Sequence, residues 1–337
     1  MRFSRDSING SLPSQTRRRY TFLLGFVVSV VIIYSIETFL TEDIYASTPF
    51  CDADGTCHEK PDKASPRTIY SARSKEQYRL WWECQENLNA TAQLYAERRE
   101  KEANDGLPPK RPFILLGDSI TESWLGMQMG IPTKRATGVP EVLQELLADH
   151  PLTKLDPLIL AISGDQTQHL LYRLEHGQLL PTYANDPTSI FVVLIGTNNI
   201  GSGELPLPTS KGVLAVADYI LSNTKGHLVL LQNLPRGDSF RLARVCPPRC
   251  NSDGKAFRSF LPAIEQLNQA VQVGFQRLGE VHGSRRLGLV DCGTPFLSDD
   301  GSEVKRNLMP DLLHPNAAGH KILGDCIMSY IRGLEKG

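Results

Sequence analysis

Five short runs in this chain are apolar from end to end: Phe113-Ile-Leu-Leu116, Leu158-Ile-Leu-Ala-Ile162, Ile190-Phe-Val-Val-Leu-Ile195, Leu228-Val-Leu-Leu231 and Leu287-Gly-Leu-Val290. A strand with one wet face alternates apolar and polar residues. A run without alternation suits a strand covered on both faces, as in a parallel sheet. Longer stretches with helical periodicity separate the runs, near 139–148, 165–175, 209–222 and 257–278, with a last one near 317–332. Strands alternating with helices imply an α/β fold, a three-layer α/β/α sandwich around a five-stranded parallel sheet with right-handed crossovers. No internal repeat is visible.

Composition agrees with a folded body. The 337 residues carry 36 Lys+Arg against 37 Asp+Glu, a formal net charge of -1, and 41% are hydrophobic. Those proportions exclude a wholly disordered chain. The neutral balance leaves no electrostatic footprint for nucleic acid. Seven cysteines cannot all pair within one chain. No Cys-x-x-Cys or His/Cys zinc spacing occurs, so no metal is expected. Cys51 with Cys57, and Cys246 with Cys250, could close small disulfide loops in an oxidising compartment; free thiols are the other reading.

The first residues follow other rules. Tyr20 to Ile36 contains no charge, and with Thr38, Phe39 and Leu40 the run reaches about 20 residues, enough to cross ~30 Å of hydrocarbon as a helix. Arg17, Arg18 and Arg19 precede it and Glu37, Glu42 and Asp43 follow. The positive-inside rule then keeps the N-terminus in the cytosol. The expected organisation is a cytosolic tail (1–19), a transmembrane signal anchor (20–40), a polar stem (41–73) and a lumenal or extracellular domain (74–337). That is a single-pass type II membrane protein of the secretory pathway. A signal peptide cut after Ala46 or Ser47 is the competing reading, though the apolar run is long for one. Asn89-Ala90-Thr91 is a glycan acceptor pattern on the lumenal side. Residues 74–105 read as an amphipathic helix packing on the domain, ended by Gly106-Leu107-Pro108-Pro109.

In open parallel sheets, ligand sites form beyond the carboxyl ends of strands. After the first run stands Gly117-Asp118-Ser119, after the second Ser163-Gly164-Asp165, after the third Gly196-Thr197-Asn198, and near the C-terminus Asp311-Leu312-Leu313-His314. Each has a plain reading: a capping serine with Asp165 as another cap, a loop glycine, a turn asparagine, and an exposed Asp/His pair. Each also has a chemical one. A serine at a helix start has backbone N–H groups around it. A glycine lets its N–H approach a ligand closely. An asparagine amide can donate to an oxyanion. A carboxylate three residues from an imidazole can hold its tautomer. The order and placement of all four are what single them out.

These residues resemble the four blocks of the SGNH hydrolases, also called the GDSL esterase/lipase family. Ser163-Gly164-Asp165-Gln166-Thr167-Gln168-His169, Gly196-Thr197-Asn198-Asn199 and Leu234-Pro235-Arg236-Gly237 are similar to its platelet-activating-factor acetylhydrolase-like branch. The resemblance spans about residues 75–333, with Ile120 where the family name has Leu, and implies a flavodoxin-like sheet. It implies Ser119 as nucleophile, His314 as general base and Asp311 as its orienting group. The Ser119 N–H, the Gly164 N–H and the Asn198 side chain would form an oxyanion hole, with no cofactor. It allows a homodimer.

Three functions follow as expectations. The first is a serine esterase acting on short acyl esters of small molecules, glycans or lipids. The second is an acyltransferase moving an acetyl group to or from a glycan through the same acyl-enzyme. The third is a non-catalytic binding module. A second Gly237-Asp238-Ser239 lacks a clean helix after it, and Arg236-Gly237-Asp238 spells an adhesion tripeptide only by coincidence. His169 is expected to pack or lie at the surface, and His320 to be a surface residue. No Gly-x-Ser-x-Gly elbow, dinucleotide fingerprint or Walker loop occurs.

Overall fold

The computed structural model describes residues 59–68, 72, 74–148, 154–238, 255 and 258–334. The anchor 20–40, Cys51, Cys57, Cys246, Cys250 and Ser239 lie outside the described residues. Among the described residues, no helix is long and apolar enough to cross a membrane.

The five apolar runs become five parallel strands: β1 (Arg111–Gly117), β2 (Leu155–Ala161), β3 (Ile190–Leu194), β4 (His227–Leu231) and β5 (Leu287–Val290). Their order in the sheet is β2-β1-β3-β4-β5, all neighbours parallel. The absence of alternation has the expected cause, since both faces are covered. Ile114, Leu116, Phe191 and Val193 face one core, shared with α1 (Lys75–Asn104), α3 (Thr167–Glu175), α4 (Pro206–Asn223) and α5 (Leu261–His282). Phe113, Leu115, Val192 and Leu194 face the other, shared with α2 (Val139–Ala148) and α6 (Ala317–Leu334). Full burial of one such side chain stabilises by roughly 1.5–3 kcal/mol.

Helix starts differ from the periodicity where capping decides. α4 begins at Pro206 and α5 at Leu261-Pro262, with proline in the first turn, where its missing N–H costs nothing. α3 starts at Thr167 because Gln166 caps it: its side chain accepts from the His169 N–H, and the His169 ring accepts from the Gln166 N–H. Asp165 is therefore not the cap.

Residues 59–68 fell in the expected stem on composition, yet they pack on the domain. Glu59 and Arg67 are buried, and the Thr167 hydroxyl donates to the Pro61 carbonyl at 2.8 Å. Their polar side chains read as solvated because their partners are about a hundred residues away. The helix expected at 74–105 does pack as an amphipathic face, with Trp81 and Tyr95 buried and Ser74 as N-cap. Asn89 sits within it, its Nδ2 donating to the His176 carbonyl at 2.8 Å.

A disulfide that spacing did not suggest joins Cys292, just after β5, to Cys326 on α6, at a sequence separation of 34. Cys84 is buried and unpaired with any other cysteine.

Candidate active site

The register aligns three strand ends. Gly117 of β1 pairs with Ala161 of β2 on one side and with Leu194 of β3 on the other. The chain runs from β1 to β2 on one side and then crosses back over β1 to β3 on the other, so a crevice opens at the β1/β3 boundary. Ser119, Gly164 and Asn198 all leave the sheet at this rim. They line one small cleft of about 90 Å³ together with His314.

Ser119 opens a one-turn helix, Ser119–Glu122, so its N–H lies in the first turn, where no intrahelical acceptor exists. Its Oγ stands 2.9 Å from His314 Nε2. His314 Nδ1 is 2.6 Å from Asp311 Oδ2, while Asp311 Oδ1 accepts from the N–H groups of His314 and Leu313. A carboxylate at Nδ1 keeps the proton there, which leaves the Nε2 lone pair facing the serine hydroxyl. Burial lowers the His314 pKa, the Arg135 and Arg236 charges add to this, and Asp311 opposes it. The imidazole is thus neutral near pH 7. Burial raises the Asp311 pKa, but the bonds and charge of His314 and the two amides outweigh it, holding the carboxyl well below its usual range.

The loop between Asp311 and His314 is bent by Leu312, which has φ +62, a left-handed conformation costly for a residue with a Cβ. It is held from outside: the Gly237 N–H donates to the Leu312 carbonyl at 2.8 Å. Arg236 is fully buried, pairs with Asp238 and donates to the Thr197 carbonyl at 2.6 Å. Leu234–Asp238 therefore steadies both the histidine loop and the asparagine turn. A buried Arg236 and Asp238 also cannot serve as an adhesion tripeptide.

Gly164 has φ +83, and a Cβ there would meet the Arg67 guanidinium at 3.1 Å. Both requirements select glycine. The Ser163 N–H before it is taken by the Glu122 carboxylate at 2.7 Å, which also accepts from the Met129 and Gly130 N–H groups. Behind the loop, Asp165 is wholly buried and accepts from Arg67, Trp81 and Arg173 at 2.7–3.1 Å. Its real role is to bind the ends of β1 and β2 to α3, since Arg173 also donates to the Gly117 and Leu160 carbonyls.

Asn198 Nδ2 donates to Asp118 Oδ2 at 3.1 Å and to the Asp165 carbonyl at 3.0 Å. Both amide hydrogens are engaged at rest, at ordinary lengths for such bonds. One of them must be shared with, or passed to, any oxyanion formed on Ser119. Asp118 accepts from the Ile120 N–H, and burial pushes its carboxyl up to about 7, with the nearby Asp165 charge adding to the shift.

One histidine differs from expectation. His320 is buried, not superficial: its Nε2 lies 3.1 Å from the Ile120 carbonyl, beside the Trp124 ring. It braces the residue after the serine. His169 is also wholly buried and pairs with Glu59 at 2.9 Å, so it packs as expected and is not at the surface. Burial raises the Glu59 pKa, but the His169 bond and charge outweigh it and bring it down to about 2. Glu122, Arg67, Arg135, Glu59 and the role of Arg236 were not singled out from sequence. Only Glu122 left a local signal, three residues after Ser119 and thus one helical turn away. Among the described residues, no three His, Cys, Asp or Glu side chains come together as a metal-ligand set.

The model of the GDSL-like lipase/acylhydrolase family matches residues 115–322. Platelet-activating factor acetylhydrolase IB subunit alpha2 of Rattus norvegicus is 27% identical over 198 residues, 57% of this chain and 70% of the relative. The alpha1 subunit of Homo sapiens is 27% identical over 181 residues, 53% of this chain and 63% of the relative. Among solved structures, an acetylxylan esterase from Geobacillus stearothermophilus aligns with a TM-score of 0.45 at 17% identity, covering 65% of this chain and 93% of that one. A GDSL-like lipase from Bacteroides thetaiotaomicron VPI-5482 aligns at 0.43 and 16%, covering 71% and 98%.

Proposed function

The chain belongs to the GDSL-like lipase/acylhydrolase family and is a hydrolase of the ester class, and from that premise we propose that it cleaves short-chain, acetyl-type esters through an acyl-enzyme on Ser119. The observation that carries this reading is the continuous hydrogen-bonded chain Ser119 Oγ, His314, Asp311 at 2.9 and 2.6 Å.

His314 Nε2 takes the Ser119 proton as Oγ attacks the ester carbonyl. Asp311 stabilises the imidazolium that forms. The negative charge on the tetrahedral oxygen is met by the Ser119 and Gly164 N–H groups and by Asn198 Nδ2. The intermediate collapses, the C–O bond to the alcohol breaks, and the alkoxide leaves with the proton from Nε2. Water then attacks the acyl-serine while His314 removes its proton, and Ser119 regains its hydrogen as the acid departs. The chemistry uses side chains and backbone amides alone.

The acetyl preference rests on the size of the cleft. About 90 Å³ among the described residues is well below the roughly 300–1,000 Å³ of a pocket for a drug-sized ligand. The names of the acetylhydrolase relatives point the same way. For location, the uncharged run 20–36 after Arg17–Arg19 supports a retained anchor with the catalytic domain lumenal or extracellular. The Cys292–Cys326 disulfide suits an oxidising compartment.

The decisive experiment is an acyl-chain-length series of aryl esters with the purified chain beside Ser119→Ala. The expected result is fastest turnover for acetate or propionate, abolished in the variant, with organophosphate label on the Ser119 peptide. Label on the Ser239 peptide, or unchanged activity in Ser119→Ala, would refute the assignment.

A further inference from the structure

Among the described residues, the cleft around Ser119 and His314 is lined by two arginines, Arg67 and Arg135, by several amide and hydroxyl side chains, and by no carboxylate. The two cations differ. Arg67 is neutralised, its Nη2 held by Asp165 at 3.1 Å and by the Ser163 carbonyl. Arg135, on the short turn Lys134–Ala136, has no ion-pair partner within 4 Å among the described residues. Its Nε and Nη2 are both buried and both lack a hydrogen-bond acceptor. Its Nη1 stands 3.5 Å from His314 Nδ1, but that nitrogen carries the proton shared with Asp311 and cannot accept.

Buried N–H groups without acceptors are rare, because each forfeits its hydration without replacement. Here the two orphans form one edge of a single guanidinium. Nε–H and Nη2–H point in parallel, and that edge matches the two oxygens of a carboxylate or phosphate. The carboxylates that act on Arg135 from a distance, Asp311, Glu122 and Asp118, are all occupied elsewhere.

Building on the esterase reading, we infer that Arg135 is a specificity-determining residue: its side chain lines the cleft, and a turn of the guanidinium brings the Nε/Nη2 edge, closed to solvent at rest, onto an oxyanionic group, carboxylate or phosphate, on the alcohol portion of the ester. The enzyme is then selective for acetylated anionic molecules over neutral acetyl esters. A small acyl group fits the cleft with its carbonyl on the three donors, and the charged end of the alcohol reaches Arg135.

The test uses acetyl esters of short hydroxy-carboxylates with graded spacers, each beside its neutral carboxamide, and the corresponding hydroxyalkyl phosphates. At the best spacer, the charged ester is expected to exceed its carboxamide in kcat/KM on the order of tenfold to a hundredfold, as two charge-assisted bonds allow, mostly through KM. In Arg135→Gln the ratio falls to about one. Arg135→Lys keeps part of it, having the charge without the fork. Preference for carboxylate or for phosphate identifies the anion, and either supports the inference. Equal rates for charged and neutral esters at every spacer overturn it while leaving the esterase intact. So does an Arg135→Gln variant that slows both alike, which would mark a structural arginine. Binding is also read without turnover: propionate, unlike propionamide, is expected to raise the thermal midpoint of the wild-type chain. A propionate effect abolished in Arg135→Gln, with no ester cleaved at all, would sink the esterase reading and leave the anion site standing. No effect of propionate or inorganic phosphate, with no charge preference in turnover, overturns the site.

Discussion

Asp311→Asn tests how the histidine is used. Asp311 Oδ1 accepts from the N–H groups of His314 (2.7 Å) and Leu313 (3.1 Å), while Oδ2 faces His314 Nδ1 at 2.6 Å. In the asparagine variant the amide oxygen can keep the two backbone bonds, so the loop holds. The NH₂ group then faces Nδ1. An amide donor opposite Nδ1 makes that nitrogen the acceptor and moves the ring proton to Nε2. Nε2 now points an N–H at Ser119 and cannot take its proton. A wrong tautomer in a serine triad costs on the order of 10³–10⁴ in kcat, about 4–5.5 kcal/mol at 1.36 kcal/mol per tenfold. The pH profile adds a second reading. His314 acts when neutral and its pKa lies below 6.5, so wild-type kcat/KM is expected to be lost only as pH falls below that value. Asp311 is the group that raises the His314 pKa, so its removal moves the acid limb lower still. Asp118 titrates near 7 and is untouched, so the shift between the two proteins reports His314. The assay is stopped-flow hydrolysis of a short aryl ester from acid to neutral pH, with circular dichroism to confirm folding. A folded variant within tenfold of wild type, or an acid limb moved upward, refutes the reasoning.

Asn198→Ala is expected to lose on the order of 10²–10³ in kcat with little change in KM, since the amide matters most once the oxyanion forms; full activity would remove Asn198 from the hole. Arg236→Ala leaves Asp238 buried without its partner and the Thr197 carbonyl without a donor. Urea titration should show about 3–5 kcal/mol lost, as for other broken buried pairs, and a loss under 1 kcal/mol would contradict that role. Replacing Cys292 and Cys326 by serine should lower stability by about 2–4 kcal/mol. Thermal melts with and without reductant check this, with the wild type expected to lose more on reduction than the variant.

Much of the architecture was legible because its cause is local. A strand buried on both faces must be apolar at every position, so Phe113–Leu116 and Ile190–Ile195 announce themselves without a partner in view. The rim was legible for a related reason: chemistry sits where strands end, and Ser119, Gly164 and Asn198 each follow an apolar run. Those three converge because parallel strands end in register, whereas His314 joins them on a loop held by the Gly237 bond to the Leu312 carbonyl.

What tertiary structure alone decided was the pairing of polar and sulfur groups. Glu59 with His169, Arg67 with Asp165, Gly237 with Leu312 and Cys292 with Cys326 are each joined across long stretches of chain. A charged side chain looks the same in sequence whether water or a buried counter-ion satisfies it. That is why 59–68 read as stem and His320 as surface. The unfilled edge of Arg135 belongs to the same class, since an unmet donor becomes visible only when every neighbour that could accept from it has been placed.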